Sequence, residues 1–302
     1  MINEILKLKE KKKAIILAHN YQLPEIQDIA DFVGDSLELS RKAKEVKDAE
    51  IIVFCGVKFM AETAKILSPE KKVLIPEIDA GCPLADMAGY DEVIEIKNKY
   101  PDAWIVSYVN TNATIKAISD VCCTSGNAEK VVRNIPTKKI VFLPDRNLCW
   151  YVKQKISDKE IICWDGYCYV HQKFTIDDIK QVKEKFPDAE IIVHPECAPE
   201  IQKIADGIYS TSGMLKRVKN SNSRKFIIGT EEGIIHRLKK ENPDKEFYSL
   251  GPPKVCFDMK KITMEKLKIS LEEEKYEINL DEKIIENARK ALERMLEPGS
   301  ER

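Results

Sequence analysis

Short apolar runs that end in polar clusters recur along this chain at an interval of about 87 residues, and a fixed repeat of that kind restricts the architecture more than any other feature. The run AIILAHNY matches WIVSYVN and EIIVHPE and sets His19, Tyr108 and His194 in register, with steps of 89 and 86 residues (19 to 108 to 194). IADFVGDSLEL, AISDVCCTSGNAEKVV and IADGIYSTSGMLKRV align Asp31, Asp120 and Asp206, then Ser36, Ser125 and Thr211, by the same two steps. A third set of runs aligns Cys55, Leu143 and Gly229, with steps of 88 and 86. The fourth landmark is a cysteine: VLIPEIDAGC, EIICWDGYC and FYSLGPPKVC end at Cys82, Cys168 and Cys256, spaced by 86 and 88. Apolar pentads are common, so one match means little. Four landmarks in one order with one step define a threefold repeat.

Within each unit, runs rich in β-branched residues alternate with helical stretches such as ELSRKAKEV, AETAKIL, AEKVVRNI and IIHRLKKE. This βαβα order implies parallel strands joined by right-handed helical crossovers. The expected fold is α/β: three homologous three-layer α/β/α domains with parallel sheets, arranged around a pseudo-threefold axis. The expected divisions are 1–86, 87–172 and 173–260, with a tail, 261–302, whose helix DEKIIENARKALERML packs on the first repeat.

With 302 residues the chain has ample material for a core, and Lys+Arg 49 against Asp+Glu 50 leaves a formal charge of -1, which argues against a nucleic-acid partner. The apolar runs are far shorter than a membrane span and the N-terminus has no signal-like apolar region, so a cytoplasmic protein without a membrane partner is expected. In that compartment the nine cysteines are poor evidence for disulfides, and with no CxxC pair any metal site must be assembled from distant cysteines.

In parallel α/β units functional residues collect beyond the carboxyl ends of the strands. Three such units packed around an axis with those ends inward bring equivalent residues together, so Cys82, Cys168 and Cys256 would face one point. Three thiolates leave one position open, which suits an iron–sulfur cube with one free iron. They suit a catalytic zinc as well, and spacing does not separate the two. The other six cysteines have no counterpart in both other units and read as small buried residues. Ser36, Ser125 and Thr211 each precede a helix and read first as caps; in register beside the axis, they also offer an anion site. His19 with Tyr21, Tyr108 with Asn110 and His194 with Glu196 share one strand-exit slot and supply acid, base and hydrogen-bonding groups there, with His171 close to Cys168.

The dispersed motifs AIILAHNYQLPEIQDIADFVGDS, YVNTNA, TSGNA, CYVHQKF, VHPEC and GTEEGIIHRL resemble the quinolinate synthase family over residues 1 to 300 or so. The resemblance implies a [4Fe–4S] cluster on Cys82, Cys168 and Cys256, with its open iron a Lewis acid. It implies condensation of iminoaspartate with dihydroxyacetone phosphate to quinolinate, with release of phosphate and water, in NAD biosynthesis. It further implies that Glu196 is the acid/base carboxylate, assisted by Tyr21 and His194. Tyr108 and Asn110 would orient substrate, while His19, Ser36, Ser125, Thr211 and His171 would bind it. An aspartate-oxidising enzyme is the expected source of iminoaspartate. The chain lacks the cysteine-rich C-terminal extension of some longer members and carries a vicinal Cys122–Cys123 pair beside Ser125. Two rivals are a reductive three-cysteine enzyme acting on a diphosphate and a metal-binding sensor without turnover.

Overall fold

Strands dense in Ile, Val and Leu, buried on both faces, can only be satisfied inside a parallel sheet covered by helices. The computed structural model describes residues 1–296 and contains three such sheets, each of four parallel strands. The first comprises β1 (Ala14–His19), β2 (Phe32–Gly34), β3 (Ile51–Cys55) and β4 (Lys72–Leu74) in the order β2-β1-β3-β4. The second comprises β5 (Trp104–Tyr108), β6 (Val121–Cys123), β7 (Lys139–Leu143) and β8 (Glu160–Cys163) in the order β6-β5-β7-β8. The third comprises β9 (Glu190–Val193), β10 (Gly207–Ile208), β11 (Lys225–Gly229) and β12 (Glu246–Ser249) in the order β10-β9-β11-β12. The order is the same each time, and Ile52, Val53, Ile140, Val141, Ile227 and Ile228 of the central strands are fully buried.

The repeated aspartates latch each short edge strand to its neighbour. Asp31, Asp120 and Asp206 each accept the backbone N–H of Ile16, Ile105 or Ile191 at 2.8 Å and donate their own N–H back to that residue's carbonyl. Each latch replaces ladder bonds that a two- or three-residue strand is too short to make.

A ring of buried side chains ties the three units together. Gln27 Nε2 donates to the carbonyls of Asn20 and Gln22 in its own turn and of Gly233 in the third unit at 2.8 Å. Gln202 Nε2 does the same for Pro195 and Cys197, and reaches Asn147 of the second unit at 3.4 Å. At the corresponding place in the second unit stands Lys116, which donates to Thr111 and lies 5.3 Å from the centre of the Phe59 ring in the first. Residues 27, 116 and 202 are spaced by 89 and 86, and their partners 59, 147 and 233 by 88 and 86. Equivalent positions therefore meet at all three junctions, the signature of a head-to-tail ring that closes.

The tail differs from its expected place. The helix Met264–Glu273 packs on the helix Ile2–Lys11 of the first unit, and Tyr276 exchanges backbone hydrogen bonds with Ile75 beside β4. The helix Glu282–Leu296 lies chiefly against the helix Ala113–Ile118 and β6 of the second unit, with Lys58–Leu67 of the first alongside. Arg289 holds the carbonyl of Ile66 at 3.1 Å, and Arg294 holds that of Asp120, so this helix spans the junction. Its apolar face, Ala288, Ala291, Leu292 and Met295, finds buried surface only there. A second correction concerns Cys149 and Cys163, which form a disulfide between the helix Arg146–Lys155 and β8. Cys55, Cys122, Cys123 and Cys197 are fully buried free thiols. Truncating Leu292 to Ala should destabilise the chain by about 2–5 kcal/mol, measured as a lower denaturant midpoint; an unchanged midpoint would mean that the helix is not part of the cooperative core.

Candidate functional site

The carboxyl ends of β1, β5 and β9 open on one cavity of about 730 Å³, counting its mouth. That is within the range of small-molecule sites. Every candidate site residue of the sequence lines it: the slot His19, Tyr108, His194; the slot Tyr21, Asn110, Glu196; the hydroxyls of Ser36, Ser125 and Thr211; His171; and the three repeat cysteines. Val57, Phe59, Met60, Leu84 and Met259 supply apolar wall.

The strand exits set the histidine tautomers. The backbone N–H of Tyr21 donates to His19 Nδ1 at 3.2 Å, and that of Glu196 donates to His194 Nδ1 at 3.3 Å. An accepting Nδ1 leaves the proton of a neutral ring on Nε2. Burial pushes both histidines down to about 3, against the opposing pull of Glu196, so both are neutral donors near neutrality. His194 directs its Nε2 to Ser125 Oγ at 3.1 Å. Burial likewise pushes the Tyr21 and Tyr108 phenols up, so both keep their protons.

Glu196 ends a row of close polar contacts, of which the last, from His171 Nδ1, is an ion-pair contact without hydrogen-bond geometry. Tyr21 Oη lies 2.5 Å from Thr230 Oγ1, Thr230 Oγ1 lies 2.8 Å from His171 Nε2, and His171 Nδ1 lies 2.8 Å from Glu196 Oε2. Desolvation would raise the acid's pKa, but His171, His194 and the close contacts of His171 and Tyr108 prevail and hold it down, at about 2. Glu196 is therefore ionised. Asn110 Oδ1 is buried in the same cavity with no hydrogen-bond partner among the described residues, which suits a group reserved for a bound molecule.

The capping reading of Ser36, Ser125 and Thr211 is overturned. In the first and third units the cap sits one residue earlier, and in the second the helix starts after Asn127 without a side-chain cap. Asp35 accepts from Leu37 and Glu38, Thr124 accepts from Gly126, and Ser210 accepts from Gly213. A one-residue advance turns the next side chain away from its own helix end and into the cavity. Thr211 Oγ1 there accepts from Asn20 Nδ2 at 2.9 Å.

Cys82, Cys168 and Cys256 are free and half-buried, and each borders the cavity from a different unit. Burial pushes all three thiols up, so a cation that displaces the protons is their natural partner. Three converging thiols suit a cluster held at separate corners. A tighter group, Cys168, His171 and Glu196, has one donor atom from each residue within 4.8 Å of the others, the span of a single ion. His171 and Glu196 are already engaged with each other, which leaves the thiols as the uncommitted set.

Sequence reasoning passed over Thr230, Asp145 and Glu231. Each lies one or two residues beyond the aligned ends Leu143 and Gly229 of β7 and β11, so extending that landmark by two positions would have reached them.

Three equivalent strand exits, a buried acid/base chain and three free thiols on one cavity define a small-molecule enzyme site with capacity for a metal cofactor. The family model of the quinolinate synthetase A protein matches residues 3–297. The chain is 54% identical to a quinolinate synthase of Caldicellulosiruptor saccharolyticus over 294 residues, covering 97% of each. It is 53% identical to one of Methanocaldococcus jannaschii, covering 98% of each, and 50% identical to one of Pyrococcus abyssi, covering 98% of this chain and 99% of that relative. The chain belongs to the quinolinate synthase family.

The two buried histidines make stability pH-dependent. Their folded values lie below 6.5, so as pH falls from about 6.5 toward 3 the unfolded chain takes up protons that the folded chain refuses, and stability falls. The melting temperature should drop between pH 7 and pH 5, and it should drop less in His19→Gln; an equal drop would assign the acid sensitivity to other groups.

Proposed function

We propose that the chain condenses iminoaspartate with dihydroxyacetone phosphate to quinolinate, with release of phosphate and water, on a [4Fe–4S] cluster held by Cys82, Cys168 and Cys256. The observation that carries this reading is the convergence of three free thiols, one per repeat, beside an ionised Glu196 and a proton chain. When bound, the cluster supplies Lewis-acid chemistry at an iron without a protein ligand. The chain's own residues do the rest. Ionised Glu196 is the base for a carbon-bound proton, since its charge is held in place by neighbours that donate to it. After Tyr21 gives its proton to a substrate oxygen, the proton that Glu196 took from carbon can return to Tyr21 through His171 and Thr230, each passing one on as it accepts one, which recharges the phenol and frees the carboxylate.

Two anionic reactants need donors rather than fixed positive charge if their product is also to leave. The neutral Nε2–H of His19, the hydroxyls of Ser36, Ser125 and Thr211 and the amide of Asn110 are such donors for carboxylate and phosphate oxygens. Tyr108, hydrogen-bonded to Glu196, orients substrate against that base. His194 assists through Ser125. The units 1–86, 87–172 and 173–260 act as one body around this cavity. Among the described residues no helix is long and apolar enough to cross a membrane. We place the enzyme in the cytoplasm and assign the supply of iminoaspartate to an aspartate-oxidising enzyme.

A second reading follows from the compact group of Cys168, His171 and Glu196, which would hold one zinc ion. Protein purified without air should be brown, with broad absorbance near 400 nm and about four irons and four sulfides per chain. Colourless protein with one zinc would favour the second reading and remove the cluster. In anaerobic assays with freshly generated iminoaspartate and dihydroxyacetone phosphate, Glu196→Gln should lower kcat by about 10²–10⁴-fold; unchanged turnover would take Glu196 out of the acid/base role.

A further inference from the structure

The loops that carry the three cysteines are pinned alike by the backbone. The N–H of Lys58 donates to Ala80, that of Arg146 to Gly166, and that of Glu232 to Lys254, at 2.8, 2.8 and 3.2 Å. Each acceptor lies two residues before the repeat cysteine, and each donor directly follows one equivalent position: Val57, Asp145 or Glu231, with steps of 88 and 86. At that position the units part company. Asp145 Oδ2 accepts the backbone N–H of Cys168 at 3.2 Å, and Glu231 Oε1 accepts that of Cys256 at 3.1 Å. Both carboxylates are fully buried. Val57 has no acceptor to offer Cys82.

Neither carboxylate has an oxygen to spare. Asp145 Oδ1 accepts the N–H of Leu148 at 2.7 Å, and Glu231 Oε2 accepts that of Gly233 at 2.7 Å, while Lys260 bridges both oxygens of Glu231 at 2.9 and 3.2 Å. An amide has the same shape but only one accepting atom, so its NH₂ group would face a donor. A plain structural cap requires one oxygen; these two sites use both, and one of the two always serves a cysteine.

We propose that Asp145 and Glu231 are positioning residues for the metal centre, fixing the backbone of Cys168 and Cys256 so that their sulfurs face the cavity, while the Cys82 arm keeps the shared backbone pin but has no such carboxylate. This rests on the cluster reading above. Groups one layer behind metal ligands typically contribute 10–100-fold to metal retention.

The test uses the full chain, loaded and purified without air, and follows loss of the 400 nm absorbance to an excess of iron chelator. Asp145→Asn and Glu231→Gln should each lose the cluster about tenfold faster than the parent. Their cluster-free forms should melt within a few degrees of the parent's, and the electron paramagnetic resonance line shape of the reduced cluster should change. Val57→Ala, which trims the equivalent position without removing a hydrogen bond, measures simple loosening. Loss in both amide variants no faster than in the parent or in Val57→Ala overturns the assignment. Glu231→Gln, on a different unit, gives an independent measurement if Asp145→Asn does not fold. A parent that takes up neither iron nor sulfide overturns the cluster reading and this inference with it, whereas a parent that loads beside equally retentive variants overturns this inference alone.

Discussion

Everything at the cavity depends on three strand exits facing one another, and the contacts that hold them so are the buried polar groups of Gln27, Lys116 and Gln202. Each sits inside its own unit, satisfying carbonyls of a turn whose backbone would otherwise be desolvated and unpaired. Each also reaches the same position on the next unit, so the turn geometry and the junction are one interaction. A unit that shifted in the ring would break its own turn, the turn that carries His19, Tyr108 or His194. Lys116 is the exception in kind: it touches an aromatic face instead of a carbonyl, and burial pushes its ammonium down to about 8. The closing tail helix, which spans the same junction between the first and second units, reinforces it.

Symmetry explains why the site exists, and its breaking explains what the site can do. The latching aspartates, alike in all three units, are structural, while the repeat cysteines, also alike, border the cavity. Where chemistry is required they diverge: His, Tyr, His in one slot and Tyr, Asn, Glu in the next. In that slot only the third unit contributes an acid, so one ionised carboxylate stands there among neutral groups. Three acids in that slot would repel one another and force protons onto two of them.

Much of this was legible because repetition amplifies weak signals. Four landmarks with one step were enough to find the sheets, the strand exits and the residues lining the cavity. The capping assignment failed by one position at Ser36 and Thr211, which stand next to the equally good caps Asp35 and Ser210, and by two at Ser125, whose helix starts only after Asn127; sequence does not say which side chain turns toward the helix. Thr230, Asp145 and Glu231 escaped because their work lies in contacts to residues 23 or more positions away, or to groups that only the closed ring brings near, such as Tyr21. The Cys149–Cys163 pair and the resting place of the tail helix were hidden for the same reason: both are set by what packs alongside, not by local pattern.

The same contrast bears on how the proton chain and the thiols can share one small space. A thiolate array is negative, and a carboxylate beside it would be driven to protonate unless its charge were held by something else. The structure meets that requirement from the second unit: His171 and Tyr108 face the Glu196 carboxylate, and Asn147 Nδ2 donates to its backbone carbonyl at 3.0 Å. His171 follows Cys168 by three residues in a short 3-10 turn, so the element that presents one thiol also delivers the ring that steadies the acid. A displacement of Cys168 would therefore reach Glu196 through a single intervening side chain.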